Sequence, residues 1–252
     1  MIKGVLRAIA APIVVVALWE LAVRLNLVNR AVLPPPSQVF TRWVDYAVTG
    51  ELPRDAWASL LRVGVGFAIG GGLALPIGLL MGANDKVYQF LNPLVQLVRP
   101  IPPIAFIPLA ILWFGLGNPP AFFLISLGAF FPILVNTISG VRNVDSIYLR
   151  AAQNLGARGP ILFWRVILPA SLPHILTGAR VAVGVAFIVV IVAEMIAVNN
   201  GLGYRILEAR EYFWSDKIIA GMLSIGLIGL AIDSVMAALN RRLLRWHRGL
   251  DG

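Results

Sequence analysis

The sequence contains no cysteine and only two histidines, His174 and His247. The absence of cysteine excludes disulfide frameworks, thiolate metal sites and cysteine nucleophiles. Because the two histidines fall at different places in the chain, a histidine metal cluster is not expected either. We therefore predict that the chain holds no metal ion of its own.

Charged side chains are also scarce. They make up 13% of the 252 residues, whereas 59% are hydrophobic and the mean hydropathy is +0.83. Residues 100–141 and residues 63–84 contain no Asp, Glu, Lys or Arg. About 20 apolar residues cross the hydrocarbon core of a bilayer as a helix, so the longer run can hold two crossings and the shorter one holds one. This composition excludes a soluble globule and, because disorder requires low hydrophobicity, a disordered chain.

Six hydrophobic segments along the chain are candidate membrane spans. They lack a polar face, which is typical of helices surrounded by lipid and neighbouring helices. The first segment is the weakest because it contains Glu20, which we place at the interfacial end of the helix, and we interpret it as an uncleaved span. The segments cover residues 5–23, 58–81, 94–116, 121–140, 175–198 and 218–239. We predict an all-α integral membrane protein with six transmembrane helices, forming a single transmembrane domain over residues 1–252.

The net charge of +9 does not indicate nucleic-acid binding in such a chain. Lys and Arg collect on the cytoplasmic loops of multi-pass membrane proteins. With the N-terminus inside, eleven of these residues fall on predicted cytoplasmic segments and seven on predicted external ones. We therefore predict that both termini are cytoplasmic, and that the chain has the lipid bilayer and no nucleic acid as a partner.

A polar external stretch follows the first span, at residues 25–57. It carries Leu33-Pro34-Pro35-Pro36-Ser37, in which the prolines favour an extended entry and Ser37 can cap the following helix. Residues 38–44 are amphipathic. We predict a short helix that lies on the outer surface of the membrane.

The longest predicted cytoplasmic loop spans about residues 141–174. Residues 147–155 have a helical pattern that ends at Gly156, a residue suited to a left-handed helix terminus. Pro160 can begin a second short helix, because its missing N–H is harmless in a first turn. Leu168-Pro169 and Leu172-Pro173 are expected to break the chain before the next span. The sequence thus predicts two small helices joined at a glycine.

Four features of this loop are important for their spacing: Ala151-Ala152, Gly156, Val166 and Leu168-Pro169. This arrangement resembles the coupling loop of permease subunits of bacterial ATP-binding-cassette importers. The pattern there reads Glu-Ala-Ala, three residues, Gly, nine residues, Ile, one residue, Leu-Pro. The chain departs from it with Val166 for Ile and with Arg150 for Glu, so the electrostatics of the leading residue differ. The resemblance assigns ATPase coupling to Arg150, Ala151, Ala152, Gly156, Ala157, Val166, Leu168 and Pro169.

The resemblance extends along most of the chain. The segments that carry it are residues 33–37, 59–63, 99–109, 113–117, 131–137, 193–194 and 201–204. They are similar to the nitrate/sulfonate/taurine-type importer permeases. This implies a type I importer permease fold with cytoplasmic coupling helices, in the inner membrane of a bacterium. It also implies a second permease subunit as in a homodimer, two cytoplasmic ATPases, and an external binding protein that delivers a small anion of the nitrate, taurine, alkanesulfonate or bicarbonate class.

The residues agree with this implication on one point. No Gly-x-x-x-x-Gly-Lys-Ser/Thr motif occurs in the chain, so it lacks the loop that cradles nucleotide phosphates. If ATP drives transport, partner subunits must bind the ATP and Mg²⁺ and hydrolyse the nucleotide. We therefore expect a non-catalytic permease without a cofactor of its own.

Candidate residues of a translocation pathway come from proline and charge. Pro100, Pro102, Pro103 and Pro108 predict a broken segment that either lines a cavity or forms a re-entrant structural kink. Ionisable groups near the membrane interior must pair, face water or extend their charge to the membrane surface. The resulting pathway candidates are Arg62, Arg99, Pro102, Pro103, Asn136 and Glu194.

Several of these groups have a competing structural interpretation. Extension to the membrane surface is the favoured account of Arg62 and Arg180, which lie near segment starts. Glu194 is either a gate or a structural hydrogen-bonding group, and Asp233 is expected to pair within the bundle. The glycines of the second span, which include Gly66, Gly70, Gly78 and Gly82, favour close helix packing over a hinge.

Two other function classes remain to be weighed. A secondary transporter driven by an ion gradient would need intramembrane carboxylate or histidine relays, for which Glu194 and Asp233 are sparse material. An integral-membrane enzyme would need a nucleophile, a histidine pair or clustered carboxylates with recognisable spacing, and the chain shows none of these.

Overall fold

The computed structural model describes the backbone of residues 2–244 and the side chains of residues 10–244. All regular secondary structure in this part of the chain is helical. Eleven α-helices follow one another: α1 Ile2–Arg24, α2 Pro36–Val48, α3 Glu51–Ala83, α4 Asp85–Val98, α5 Ile107–Phe114, α6 Asn118–Arg142, α7 Ser146–Asn154, α8 Gly159–Leu162, α9 Leu168–Ala197, α10 Leu202–Glu211 and α11 Ser215–Leu243. A 3₁₀ turn, Pro103–Phe106, precedes α5, and a π-helical turn, Phe163–Ile167, joins α8 to α9.

Four helices are long and apolar enough to cross a membrane: Glu51–Ala83, Asn118–Arg142, the continuous helix Gly159–Ala197 and Ser215–Leu243. They confirm the predicted helices at 58–81, 121–140, 175–198 and 218–239, and each is longer than predicted. A fifth crossing exists if the bent pair Asp85–Val98 and Pro103–Phe114 counts as one span. The predicted first span falls within α1, whose opening residues lie outside the described side chains.

The core of the bundle is the packing of α6 against α3 on one side and α9 on the other. Glycines of α3 allow the close approach of α6. A Cβ atom built on Gly66 would lie 2.6 Å from the Cβ of Ile125, and one on Gly78 would lie 2.8 Å from the Cβ of Thr137. Because small residues let helix backbones approach closely in membranes, these glycines confirm the predicted packing role.

The predicted segment at 94–116 is a bent pair of helices. Its first part belongs to α4, which already begins at Asp85 and ends at Val98. The chain then turns by 80° before it continues through the 3₁₀ turn and α5. Three prolines between residues 100 and 103 lack the N–H groups that would continue the α-helix, so the predicted break is confirmed at this place.

The loop between α6 and α9 contains the two predicted short helices. Gly156 follows α7 with a φ of +86°, in the left-handed region that favours glycine, and Pro160 lies in the first turn of α8. The predicted break at Leu168-Pro169 and Leu172-Pro173 is wrong, because α8 and α9 form one continuous helix. The wider π-helical turn, in which the N–H of Leu168 donates to the carbonyl of Phe163, accommodates Pro169 without a break.

The predicted amphipathic surface helix is α2, and it begins after Pro34 and Pro35 as expected. The predicted cap is wrong. Pro35 is the N-cap, and Ser37 lies in the first turn, where its backbone N–H and its hydroxyl donate to the Glu20 carboxylate at 3.1 and 2.9 Å. Glu20 therefore ties the end of α1 to the start of α2.

Candidate functional site

A buried ion pair joins the end of α9 to α3. The Arg62 Nη1 lies 2.6 Å from the Glu194 Oε1, and the two side chains are 4% and 0% exposed. The other Glu194 oxygen accepts hydrogen bonds from the Ser59 hydroxyl and from the Gly203 N–H, both at 2.9 Å. Arg62 is therefore paired inside the protein, and its predicted extension to the membrane surface is wrong.

The remaining donors of Arg62 bind two asparagines from two further segments. Its Nε donates to the Oδ1 of Asn118, the first residue of α6, at 2.8 Å. Its Nη1 donates to the backbone carbonyl of Asn200 at 3.1 Å, and its Nη2 donates to the Asn200 Oδ1. Burying a charge is costly unless it is paired and hydrogen-bonded, and here both partners meet that condition.

A second carboxylate, Asp55, lies one turn before Ser59 on α3 and is 1% exposed. It accepts hydrogen bonds from the Gly201 N–H at 3.0 Å, the Tyr46 hydroxyl at 2.8 Å and the Arg205 Nε at 2.7 Å. We call Asp55, Ser59, Arg62, Glu194 and Arg205 the ionic cluster. It ties α2, α3, α9 and α10 together at one end of the bundle. The opposite end carries residues 143–167, which we call the α7–α8 loop.

Two of the donors to Asp55, Tyr46 on α2 and Arg205 on α10, keep one protonation state. Burial and the neighbouring charge of Asp55 raise the pKa of the Tyr46 hydroxyl far above its ordinary value, so it remains a donor. Burial lowers the pKa of the Arg205 guanidinium, but hydrogen bonds to Asp55 and Glu208 outweigh this and raise it overall. Tyr46 and Arg205 therefore remain hydrogen-bond donors to Asp55 near neutral pH.

Sequence reasoning missed Asp55, Ser59, Asn118, Asn200 and Arg205. A signal for part of the set was present, because Asp55, Ser59 and Arg62 are spaced by four and three residues and so lie on one face of a helix. Glu194 is placed as a hydrogen-bonding group within the protein. Its predicted alternative as a gate stays a prediction.

A further ion pair joins α9 to α11. Two nitrogens of Arg180 each lie 2.7 Å from an oxygen of Asp233, and both side chains are about half exposed. This confirms that Asp233 pairs within the bundle, and it replaces the predicted extension of Arg180 to the membrane surface. Within the part of the chain that the structure describes, no group of three or more His, Asp or Glu residues could hold a metal ion.

An open cleft of about 290 Å³ lies between the break after α4 and the middle of α6 and α9. It brings together three of the predicted pathway residues, Arg99, Pro103 and Asn136. The other lining residues are Ile101, Leu127, Gly128, Phe131, Pro132, Val135, Val181 and Val185. Pro102 caps the 3₁₀ turn beside the cleft, whereas Arg62 and Glu194 lie in the ionic cluster. A role of these residues in translocation stays a prediction.

The α7–α8 loop presents large apolar side chains to its surroundings. These side chains are between 51% and 89% exposed: Ile147, Tyr148, Leu155, Ile161 and Trp164. Asp145 caps α7 by accepting a hydrogen bond from the Ile147 N–H at 2.9 Å. The Nη2 of Arg150 donates to the Ser146 hydroxyl at 2.7 Å, so the residue that replaces the Glu of the coupling pattern binds back onto its own helix.

The other residues assigned to coupling lie along the same path. Ala151 and Ala152 belong to α7, and the Ala157 N–H donates to the Ala152 carbonyl at 2.9 Å, which closes the turn around Gly156. Val166 lies in the π-helical turn, and Leu168 and Pro169 begin α9. The structure thus places all eight residues between the middle of α7 and the start of α9, where their role in coupling stays a prediction.

Comparison with solved structures shows the same fold elsewhere. A structure of the MetNI methionine ABC transporter in inward-facing conformations aligns with a TM-score of 0.65. The alignment covers 78% of this chain and 98% of that chain at 20% sequence identity. At this identity the likeness concerns the fold alone.

Comparison with curated proteins gives closer relatives. SsuC of Bacillus subtilis (strain 168), which is named as an aliphatic sulfonates transport permease, is 36% identical over 99% of this chain and 90% of its own length. The taurine transport system permease protein TauC of Escherichia coli (strain K12) is 36% identical over 93% of this chain and 87% of its own. The bicarbonate transport system permease protein CmpB of Synechococcus elongatus is 37% identical over 75% of this chain and 68% of its own.

The family match covers the end of α3 and all helices from α4 to α11, including the α7–α8 loop and the ionic residue Glu194. Residues 74–245 match the family described as "Binding-protein-dependent transport system inner membrane component". Together with the relatives, this match confirms the resemblance given by the sequence motifs. The chain belongs to the inner membrane permease components of binding-protein-dependent transport systems.

Proposed function

We propose that this chain is the membrane-spanning subunit of an ATP-driven importer that carries a small anion delivered by an external binding protein. The single observation that carries the proposal is the α7–α8 loop. This loop presents five exposed apolar side chains. The chain itself lacks the phosphate-binding Gly-x-x-x-x-Gly-Lys-Ser/Thr motif. Exposed apolar patches mark interaction sites, and an ATPase is the partner that such a permease requires.

The finer features of the assembly belong to the same proposal. Six crossings result if α1 and the bent pair α4–α5 each span the bilayer once. Both termini and the α7–α8 loop then face the cytoplasm, as the distribution of Lys and Arg predicts.

Two copies of the chain pair as a homodimer, and two ATPases that bind ATP and Mg²⁺ dock beneath their loops. Nitrate, taurine, alkanesulfonates and bicarbonate are the candidate solutes, and the relatives named for sulfonate, taurine and bicarbonate transport support this class.

The proposed mechanism is alternating access. Closure of the ATPases moves the α7–α8 loops together. Because α8 continues without interruption into α9, this movement reaches the core helices directly. The helices rock, and the opening of the cavity moves from the inside to the outside, where the delivered solute enters.

The geometry gives no support to the competing secondary transporter. Such a carrier would use carboxylates within the spans as proton or ion relays. Here Glu194 is paired with Arg62, and Asp233 is paired with Arg180. Each carboxylate therefore already has an arginine partner within the protein, so neither is the unpaired group that a relay would use.

Replacement of Gly156 with valine tests the role of the loop. Gly156 has a φ of +86°, and an L-residue in the left-handed region costs roughly 1–2 kcal/mol, which corresponds to a roughly 5- to 30-fold change in population. We expect Gly156→Val to lower solute-stimulated ATP hydrolysis of the reconstituted complex at least about fivefold. Gly156→Asn is the matched control, because asparagine tolerates this conformation, and it should retain most of the stimulation.

The amount of ATPase that copurifies with the permease must be measured in parallel. Stimulation that is unchanged in Gly156→Val, in a complex with its full complement of ATPase, would contradict the assigned coupling role of the loop. A wild-type permease that transports the solute without any nucleotide hydrolase would contradict the proposed function as a whole.

A further inference from the structure

The side chain of Arg99 differs in its pairing from three arginines of the spanning helices. Arg62, Arg142 and Arg180 each form a salt bridge with a carboxylate. The Arg99 side chain lines the cleft and makes no hydrogen bond or salt bridge to any residue that the structure describes. Its charge is therefore available to something that enters the cleft.

The cleft lies beside the middle of α6 and α9, so an unpaired charge in it indicates a function. The lining residues from α6 lie between 127 and 136, in the middle part of the helix Asn118–Arg142. Those of α9 are Val181 and Val185, near the middle of Leu168–Ala197. An arginine at this depth is costly in lipid, and such residues mark water-filled pathways or ligand sites. The cleft is thus expected to be wet and to attract negative charge.

Few polar groups line the cleft, and none of them carries a negative charge. Its lining contains no carboxylate, and Arg99 is its one charged side chain. The Nδ2 of Asn136 donates to the Pro132 carbonyl at 2.8 Å, which leaves its second amide hydrogen free to donate. Pro103 and Pro132 provide no backbone N–H. The donors that remain for a ligand are therefore the guanidinium of Arg99 and the amide of Asn136.

All of these observations favour an anionic ligand. We propose that the cleft is an anion-binding site in which Arg99 and Asn136 receive the oxyanion group of the solute during its passage, so that the permease itself selects for negative charge. The proposal rests on the proposed function and adds the location and sign of a selectivity step within this chain. A volume of about 290 Å³ accommodates several waters or one small sulfonate, since a water occupies about 30 Å³ of liquid.

The absence of cysteine from the sequence allows a direct test on the full chain. Val135→Cys places one thiol in the cleft, in nanodiscs of zwitterionic phosphatidylcholine. Its reaction rates with an anionic and a cationic methanethiosulfonate reagent are compared with those of the Arg99→Gln/Val135→Cys double variant. We expect the ratio of anionic to cationic rates to fall about tenfold when Arg99 is removed, as a unit charge within several ångströms requires. Val48→Cys on α2, which is 81% exposed and does not line the cleft, is the control whose ratio should not change.

Two further arms identify the ligand. Methanesulfonate should slow the anionic reagent in Val135→Cys and should fail to do so in the Arg99→Gln background. If anionic phosphatidylglycerol in the nanodisc slows the reaction and methanesulfonate does not, the site binds a lipid headgroup and the proposal is overturned. Equal rate ratios with and without Arg99, or no reaction with either reagent, would overturn it as well. Because these rates require neither the ATPase nor the binding protein, their outcome is independent of the Gly156→Val experiment.

Discussion

Replacement of Glu194 with alanine is expected to destabilise the protein by about 3–5 kcal/mol, because it leaves the Arg62 guanidinium buried without its counter-charge. The Arg62 side chain is only 4% exposed, so water cannot replace the lost carboxylate. The same change leaves the Ser59 hydroxyl and the Gly203 N–H without their acceptor. The midpoint of thermal unfolding, followed through the fluorescence of the seven tryptophans in detergent solution, should fall by several degrees or more.

A matched control and a double variant separate this effect from general damage. Glu208→Ala removes one carboxylate from an ion pair with Arg205 in which both side chains are 29% exposed, and such a pair contributes about 0–1 kcal/mol. In the Arg62→Ala/Glu194→Ala double variant, no uncompensated charge remains. Its loss of stability should therefore be well below the sum of the two single losses. Strictly additive losses would show that the two groups do not depend on each other.

The second large effect is expected at Gly70, the glycine of α3 at which an added Cβ atom would come nearest to α6. A Cβ atom at this position would collide with the backbone carbonyl of Ser126. A side chain could rotate away, but a carbonyl within a helix cannot move without displacing the helix itself. We expect Gly70→Val to cost about 3 kcal/mol or more, at or beyond the upper end of the overpacking range, and to reduce the yield of monodisperse protein in size-exclusion chromatography.

Gly72 provides the comparison for Gly70 on the same helix. A Cβ atom on Gly72 would meet nothing within 4 Å inside the chain. Gly72→Val should therefore give protein in nearly wild-type yield, with an unfolding midpoint close to that of the wild type. If the two valine variants behaved alike, the contact between α3 and α6 would not be as close as described, and the glycines would serve another purpose.

The parts of this fold that the sequence predicted are those governed by local physical rules. Long hydrophobic segments predicted four of the spanning helices, and Gly156 predicted the left-handed turn after α7. The prolines at 100, 102 and 103 predicted the break, because a missing N–H acts on the nearest turn of the backbone. Each of these inferences depends on residues that are close together in the chain.

The errors came from interactions that depend on distant residues or on alternative backbone geometry. Arg62 pairs with Glu194, a residue 132 positions away, so its neighbourhood in the sequence could not reveal its partner. Ser37 could cap α2, but Glu20 from the preceding helix offered its hydroxyl a charged acceptor. Pro169 would break a regular α-helix, but a π-helical turn precedes it and the helix continues, and the residues next to Pro169 in the sequence do not distinguish the two outcomes.

The continuity of Gly159–Ala197 has a mechanical consequence. At 1.5 Å per residue, 39 residues form a rod of about 58 Å, which is longer than a bilayer is thick. One end of this helix lies in the α7–α8 loop and the other near Glu194, so in the proposed mechanism the helix would work as a lever arm. A tilt of about 10° around one end would displace the other by about 10 Å, given that length. In the proposed mechanism, a small rotation at the loop end of this helix would therefore become a displacement as wide as a solute at the Glu194 end.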